Sequence, residues 1–331
     1  MHCRLILAIL SAVVLTQRAT AAASKCQLSK VAEFVVTMDG NRPLIPARIN
    51  GRDVFFLLDT GAASTFLFVD TMTAFDLPHR DVANESVGVG GLSGMRSATI
   101  DDLTLDKLHL RGKPFRVVGN PAKSSSGLFV AGALGTDFWH HYDVDFNLAE
   151  NAVSLFKPHD CDRASLAYWS SDYSAADFAF SFSEFHPHVV VPVKINGQPV
   201  KALLDSGAAS SFLTLESAKK AGIGPDSPGV TPMGPIHGIG RKQIPVWLAK
   251  FDSLELGEET IKNIKMRFGD LFDQEEYGTS LQGIGLIIGV DFLKAHHLMM
   301  SYSQEKLYYT YNGGRVFDDQ THIGDTGQSS P

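Results

Sequence analysis

Two stretches of this 331-residue chain repeat one another, and that repeat limits the fold more than any other feature. Residues 49–68 read INGRDVFFLLDTGAASTFLF and residues 195–214 read INGQPVKALLDSGAASSFLT, with 13 of 20 positions identical at a constant offset of 146. Chance would supply about one or two identities, so both segments answer to the same structural demand. A shorter echo lies downstream, where Ala133-Leu134-Gly135-Thr136-Asp137-Phe138 is matched by Ile288-Gly289-Val290-Asp291-Phe292. Gly135 and Gly289 stand 154 apart, so the second copy carries about eight extra residues between its landmarks. The repeat predicts one unit over 24–157 and a second over 186–311. Residues 158–185 are expected to form a linker with an edge strand around Phe178–Phe182, and 312–331 a flexible tail rich in Gly, Asp and Ser.

Within each unit the patterning is that of short strands. Phe34–Thr37, Ile45–Ile49, Val54–Leu58, Ser97–Leu105, Phe115–Val118 and Ala152–Phe156 read as strands in the first copy. Val189–Ile195, Val200–Leu204, Ile244–Phe251, Ile264–Phe268 and Leu307–Tyr311 do so in the second. Asn50-Gly51 and Asn196-Gly197 are tight-turn signals, so each unit opens with a β-hairpin. Helices are few and short: Val69–Phe75, Leu215–Ala221 and a turn after each downstream Gly. An all-β chain with barrel-like or sandwich-like sheets fits these elements better than a parallel sheet with crossover helices.

Each copy runs an apolar strand directly into a carboxylate. Leu57-Leu58 precedes Asp59-Thr60-Gly61-Ala62, and Leu203-Leu204 precedes Asp205-Ser206-Gly207-Ala208. One Asp-x-Gly is an ordinary turn; two, in register within a repeat, are not. A duplicated unit generates a pseudo-twofold axis, and equivalent loops at its centre meet, which would make Asp59 and Asp205 neighbours. Carboxylates sharing one site hold a single proton over a broad pH range. One member then activates a water as base, while the other donates a proton to a substrate carbonyl oxygen, which suits amide hydrolysis without a metal or covalent intermediate. Gly61 and Gly207 allow tight backbone beside the carboxylates, and the Thr60 and Ser206 hydroxyls are placed to bond between loops.

Asp-Thr-Gly-Ala-Ala-Ser at 59–64 and Asp-Ser-Gly-Ala-Ala-Ser at 205–210 resemble the active-site signatures of aspartic proteases. The Ala after each Gly is more similar to the retropepsin-like branch than to the pepsin branch. Ala133-Leu134-Gly135 and Ile287-Ile288-Gly289 occupy the place of the hydrophobic-hydrophobic-Gly element that packs behind the catalytic loop in that family. The resemblance implies a bilobal acid-protease-like fold made of two retropepsin-like β-barrel domains in one chain. It also implies an aspartic endopeptidase acting on an extended peptide, with catalytic Asp59 and Asp205, no cofactor, no metal, and a monomer as the default. Family members close a β-hairpin flap over the peptide. Gly88, Val89, Gly90 and Gly91 in the first copy, and Gly238, Ile239 and Gly240 in the second, are the flap candidates. Neither segment contains the Tyr usual in pepsin-like flaps.

Other readings compete with this one. A protein of the same fold that binds peptides with little turnover is the main alternative. A glycosidase using the paired carboxylates would need them more than about 5 Å apart. Ser64 and Ser210 lack a convincing His partner for a serine hydrolase. The adjacent pairs His140-His141 and His296-His297 diverge in any regular backbone, so neither pair alone makes a metal site, and their matching placement predicts a shared packing or surface role. Asp143-Val144-Asp145 is expected in a solvated turn or strand.

Arg4, the apolar run Leu5–Leu15 and the small residues Ala21-Ala22-Ala23 have the three regions of a secretory signal peptide over 1–23. Eleven apolar residues are short for a membrane anchor, which needs about 20. The expected location is periplasmic or extracellular, without stable membrane insertion after cleavage. Of the three Cys, Cys26 and Cys161 would remain, either as one disulfide or as two separate thiols. With 29 Lys and Arg against 36 Asp and Glu, the net charge of −7 gives no basic footprint for nucleic acid.

Overall fold

The two Asn-Gly turns nucleate matching hairpins. In the computed structural model, β1 (Gln27–Val35) and β2 (Thr37–Asp39) lead into β3 (Arg42–Ile49) and β4 (Arg52–Leu58). β3 and β4 pair antiparallel with Ile49 opposite Arg52, and Asn50 and Gly51 between them take φ of 51° and 80°. Both values are left-handed, which a type I′ turn requires and which Asn and Gly supply cheaply. Along β4 the side chains of Val54, Phe56 and Leu58 are buried at every second position, as the period of a strand demands.

The described residues are 26–88, 91–119, 124–181, 188–236, 243–270 and 283–317. The expected signal segment, the flap candidates Val89, Gly90, Gly238, Ile239 and Gly240, and residues 318–331 lie outside them. After β4 come β5 (Phe66–Phe68), α1 (Val69–Ala74), β6 (His79–Gly88), β7 (Gly91–Leu105), β8 (Leu108–Val118), β9 (Val130–Leu134) and α2 (Thr136–Trp139). β10 (Asp143–Asn147) and β11 (Ala152–His159) end the first half, and β12 (Ser174–Asp177) and β13 (Ala179–Ser181) occupy the expected linker. The second half holds β14 (His188–Ile195), β15 (Gln198–Leu204), β16 (Phe212–Thr214), α3 (Leu215–Lys220), β17 (Thr231–Ile236) and β18 (Ile244–Leu256). It ends with β19 (Glu259–Gly269), β20 (Ile284–Ile288), α4 (Val290–Leu293), β21 (His296–Ser301) and β22 (Lys306–Tyr311).

These strands form three sheets. The first runs β2-β3-β4-β9-β5-β8-β7-β6, and an extra β3–β7 pairing closes six of its strands into a ring. The second runs β13-β14-β15-β20-β16-β19-β18-β17 and closes through β14–β18, the same order strand for strand. Closure removes most sheet edges and leaves each interior to be filled by side chains. The third sheet, β1-β11-β10-β21-β22-β12, takes strands from both halves, and β10 meets β21 at its centre with Val144 opposite Met300. One continuous core extends through all three, with Phe56, Trp139, Phe146, Phe251, Phe268, Phe292 and Tyr309 fully buried.

The shared sheet corrects two expectations. Asp143 and Asp145 are not solvated: both are buried in β10, where Asp143 accepts from the Ser301 and Ser303 hydroxyls, and Asp145 from His297 Nε2 at 2.6 Å and the Tyr168 hydroxyl. A buried carboxylate is tolerated only when its lone pairs are taken in this way. The two His pairs match only in part: His140 and His296 each bond the carbonyl four residues back, that of Thr136 and of Phe292, but His140 follows α2 whereas His296 and His297 lie within β21 and face opposite sides. His296 stacks on Phe292 and His297 on Trp169 at 3.9 Å.

The linker crosses the back of this sheet as a fastened strap. A disulfide joins Cys161 to Cys26 at the start of β1. Gln304 Nε2 donates to the carbonyls of Cys161 and Ala164, and Trp169 Nε1 donates to Thr310 Oγ1 at 3.0 Å. Among the described residues no helix is long and apolar enough to cross a membrane.

Candidate active site

β4 and β15 each sit between an antiparallel neighbour and a parallel one, so their C-terminal ends emerge at the middle of a sheet. Leu57 and Leu58 pair with Ala133 and Leu134 of β9, and Leu203 and Leu204 with Ile287 and Ile288 of β20. The ladder carries one step further, since Asp59 N donates to Leu134 O at 3.1 Å and Asp205 N to Ile288 O at 2.9 Å. Both carboxylates therefore leave a buried strand at a fixed height, and each loop turns back on its own side chain. Asp59 Oδ1 accepts from the N–H groups of Gly61 (3.1 Å) and Ala62 (2.8 Å); Asp205 Oδ1 accepts from Gly207 (2.8 Å) and Ala208 (3.2 Å).

The loops are bonded to one another through the two hydroxyls. Thr60 Oγ1 donates to Leu204 O at 2.8 Å and accepts from Ser206 N at 3.0 Å; Ser206 Oγ donates to Leu58 O at 2.9 Å and accepts from Thr60 N at 3.1 Å. Thr60 and Ser206 are buried, so all four bonds are shielded from water. Thr60→Val keeps the shape but leaves the Leu204 carbonyl and Ser206 N–H unpaired. It is expected to cost about 2–4 kcal/mol in unfolding free energy by denaturant titration.

This clasp brings each carboxyl against the glycine of the other loop, Asp205 at Gly61 and Asp59 at Gly207. Gly61 and Gly207 are what permits the approach. A Cβ on Gly61 would lie 2.3 Å from Asp205 Cγ, and one on Gly207 would lie 2.5 Å from Asp59 Cγ. Both Asp residues are half-buried. Burial raises both pKa values above the ordinary carboxylate range, and the charge of Asp205 raises Asp59 further, against the pull of the loop N–H groups.

A pair of residues that the sequence reading passed over supports the loops from behind. Asp137 Oδ1 accepts from Thr65 N (2.6 Å) and Oγ1 (2.8 Å), and Asp291 Oδ1 from Ser211 N (2.8 Å) and Oγ (2.6 Å). The same hydroxyls accept from Gly135 N and Gly289 N, so the downstream Gly elements are tied to the segments following each Asp loop. The signal was present, because Asp137 and Asp291 occur two residues after the matching glycines.

Burial raises Asp291 to about 6, against the Ser211 bonds, whereas Asp39 is held at about 2. Burial opposes that lowering, but the Ser125 and Ser126 bonds and the Arg42 guanidinium outweigh it. A folded value above the unfolded one contributes stability that is full below about pH 4 and is lost as pH rises through about 6. Asp39 works in the opposite sense: its contribution is present above about pH 4 and lost as pH falls towards 2. Unfolding free energy should therefore peak in mild acid. Asp291→Asn, which keeps the acceptor oxygen, should match the wild type near pH 4 and exceed it at pH 7.5 by on the order of 3 kcal/mol.

The first flap candidates fall at a hairpin end, with Gly88 closing β6 opposite Gly91 at the start of β7. β17 and β18 flank the second segment, with Ile236 opposite Ile244. Among the described residues no three His, Cys, Asp or Glu side chains converge as a metal site. A polar cavity of about 390 Å³ lined by Arg163, Tyr173 and Lys306 lies on the strap side of the shared sheet and contains neither Asp59 nor Asp205.

No curated protein matches the chain. Among solved structures, the aspartic proteinase from Irpex lacteus is 11% identical, with a TM-score of 0.47, over 88% of this chain and 99% of that one. The family described as aspartyl protease matches twice, at residues 45–138 and 191–292. Each matched stretch contains one Asp-Thr/Ser-Gly loop and the Gly element tied behind it, and together they span more than half of the sequence, so the chain belongs to the aspartyl protease family.

Proposed function

We propose that this aspartic-type endopeptidase hydrolyses peptide bonds with Asp59 and Asp205 as its catalytic pair. The observation that carries the reading is the approach of each carboxyl to the other loop's glycine, held by the Thr60 and Ser206 cross-bonds. Two neighbouring carboxyls whose pKa values are raised by burial share one proton between their two titration steps. The ionised member takes a proton from a bound water as its oxygen attacks the substrate carbonyl carbon. The protonated member donates to the carbonyl oxygen, giving a neutral tetrahedral diol. Return of a proton to the amide nitrogen then allows the C–N bond to break.

The doubled family match, the identical strand orders and the repeat support a tandem of two retropepsin-like units, each supplying one Asp, so that a monomer is complete. The Gly88–Gly91 hairpin end and the 238–240 segment are the proposed flaps over an extended peptide. The N-terminal segment supports export to the periplasm or the extracellular space.

Digestion of a peptide library from pH 3 to 8 tests the assignment. Cleavage that is strongest in mild acid is the expected result. Peptide capture without cleavage at any pH would instead identify a binding protein of this fold.

A further inference from the structure

One group from the second half reaches the first half's Asp loop without belonging to the repeat's shared pattern. His188, the first residue of β14, is buried, and its Nε2 lies 3.0 Å from the carbonyl oxygen of Gly61. A carbonyl can only accept, so Nε2 carries the proton and donates. That assignment holds for the neutral and the charged ring alike, and no titration of His188 is involved.

The Gly61 carbonyl belongs to the same peptide plane as the Ala62 N–H, and that N–H donates to Asp59 Oδ1 at 2.8 Å. The bonds thus form a relay: imidazole N–H to Gly61 C=O, then through the peptide to Ala62 N–H and the Asp59 carboxylate. A hydrogen bond at the oxygen of an amide polarises it and strengthens donation from its nitrogen. The repeat places Arg42 at the position matching His188 in the first half, and its guanidinium is bonded to Asp39. The matching positions therefore carry different side chains, although the Asp loops' own sequences are nearly identical.

We propose that His188 is a positioning residue that acts through the Gly61–Ala62 peptide to stabilise the ionised form of Asp59, making the pair functionally unequal. The proposal rests on the catalytic reading of Asp59 and Asp205. Among the described residues, two carboxyls flank this peptide: Asp59 accepts from it, and Asp205 packs against Gly61. Loss of the relay removes a donor that favours the ionised dyad, so the acidic limb of activity moves to higher pH.

The test compares His188→Leu, His188→Gln and His188→Asn in the full chain. In His188→Leu the acidic limb of kcat/KM should rise by about 0.5–1 pH unit, with kcat about 3- to 10-fold lower and KM within about twofold. Gln places an amide N–H near the Nε2 position and should restore both, whereas the shorter Asn should not. Independently of turnover, the Ala62 amide proton resonance should move upfield in His188→Leu and His188→Asn and return in His188→Gln. An unchanged pH profile and Ala62 resonance in a folded His188→Leu, with Asp59→Asn inactive, would overturn the relay alone. A wild type without peptidase activity would overturn the catalytic reading and the relay's role with it.

Discussion

Asp59→Asn and Asp205→Asn are each expected to lower kcat/KM by roughly 10³- to 10⁴-fold, about 4–5.5 kcal/mol of lost transition-state stabilisation. Neither change should unfold the protein. Asn retains the oxygen that accepts from the loop N–H groups, Gly61 and Ala62 for Asp59, Gly207 and Ala208 for Asp205. Each substitution also removes one of two carboxyls that burial, and for Asp59 also the charge of Asp205, keeps above the ordinary pKa. The melting temperature at pH 7 should therefore equal or exceed that of the wild type, because a raised folded pKa costs stability above the unfolded value. Peptide affinity should persist, since the change is confined to the proton inventory of the site. Loss of activity with retained fold and binding separates catalysis from a packing role; activity within tenfold of wild type in either variant would remove that Asp from the mechanism.

Gly207→Ala is expected to be nearly as damaging, for steric reasons alone. Its new methyl would lie 2.5 Å from Asp59 Cγ, and the corresponding change at Gly61 would lie 2.3 Å from Asp205 Cγ. Contacts that short force the loops or the carboxyls apart, and a displacement of about 1 Å in a catalytic pair costs on the order of 10²-fold in rate. The expected result for either variant is a fall of about 10²- to 10³-fold in kcat/KM, with weakened coupling between the two carboxyl titrations. Gly234→Ala provides the control, because a Cβ there meets nothing within 4 Å, and its activity should match the wild type.

The repeat exposed both Asp loops because their requirements are local: an apolar strand, a carboxylate, a small hydroxyl residue and a glycine, in one unbroken run. The Thr60 and Ser206 cross-bonds were legible for the same reason, since two matched loops that meet turn each hydroxyl towards the other loop's backbone. The third sheet was not legible. Its central pairing joins Val144 to Met300, and nothing in a local pattern distinguishes a strand bound for a barrel from one bound for a partner half. That pairing is also why Asp143 and Asp145 looked solvated and are buried: their partners Ser301, Ser303 and His297 come from the other end of the chain. His188 escaped notice for a related reason, because its contact with Gly61 exists only once the halves face each other.

Carboxyl ¹³C titration of Asp59 and Asp205 by NMR tests the shared-proton account most directly. Two coupled steps are expected, the second well above the ordinary carboxylate range, with the pair holding one proton for more than about one pH unit between them. In Asp205→Asn that coupling should vanish, leaving one Asp59 step raised by burial against the Gly61 and Ala62 N–H bonds. Two independent titrations near pH 4 in the wild type, unaffected by replacing the partner, would contradict it.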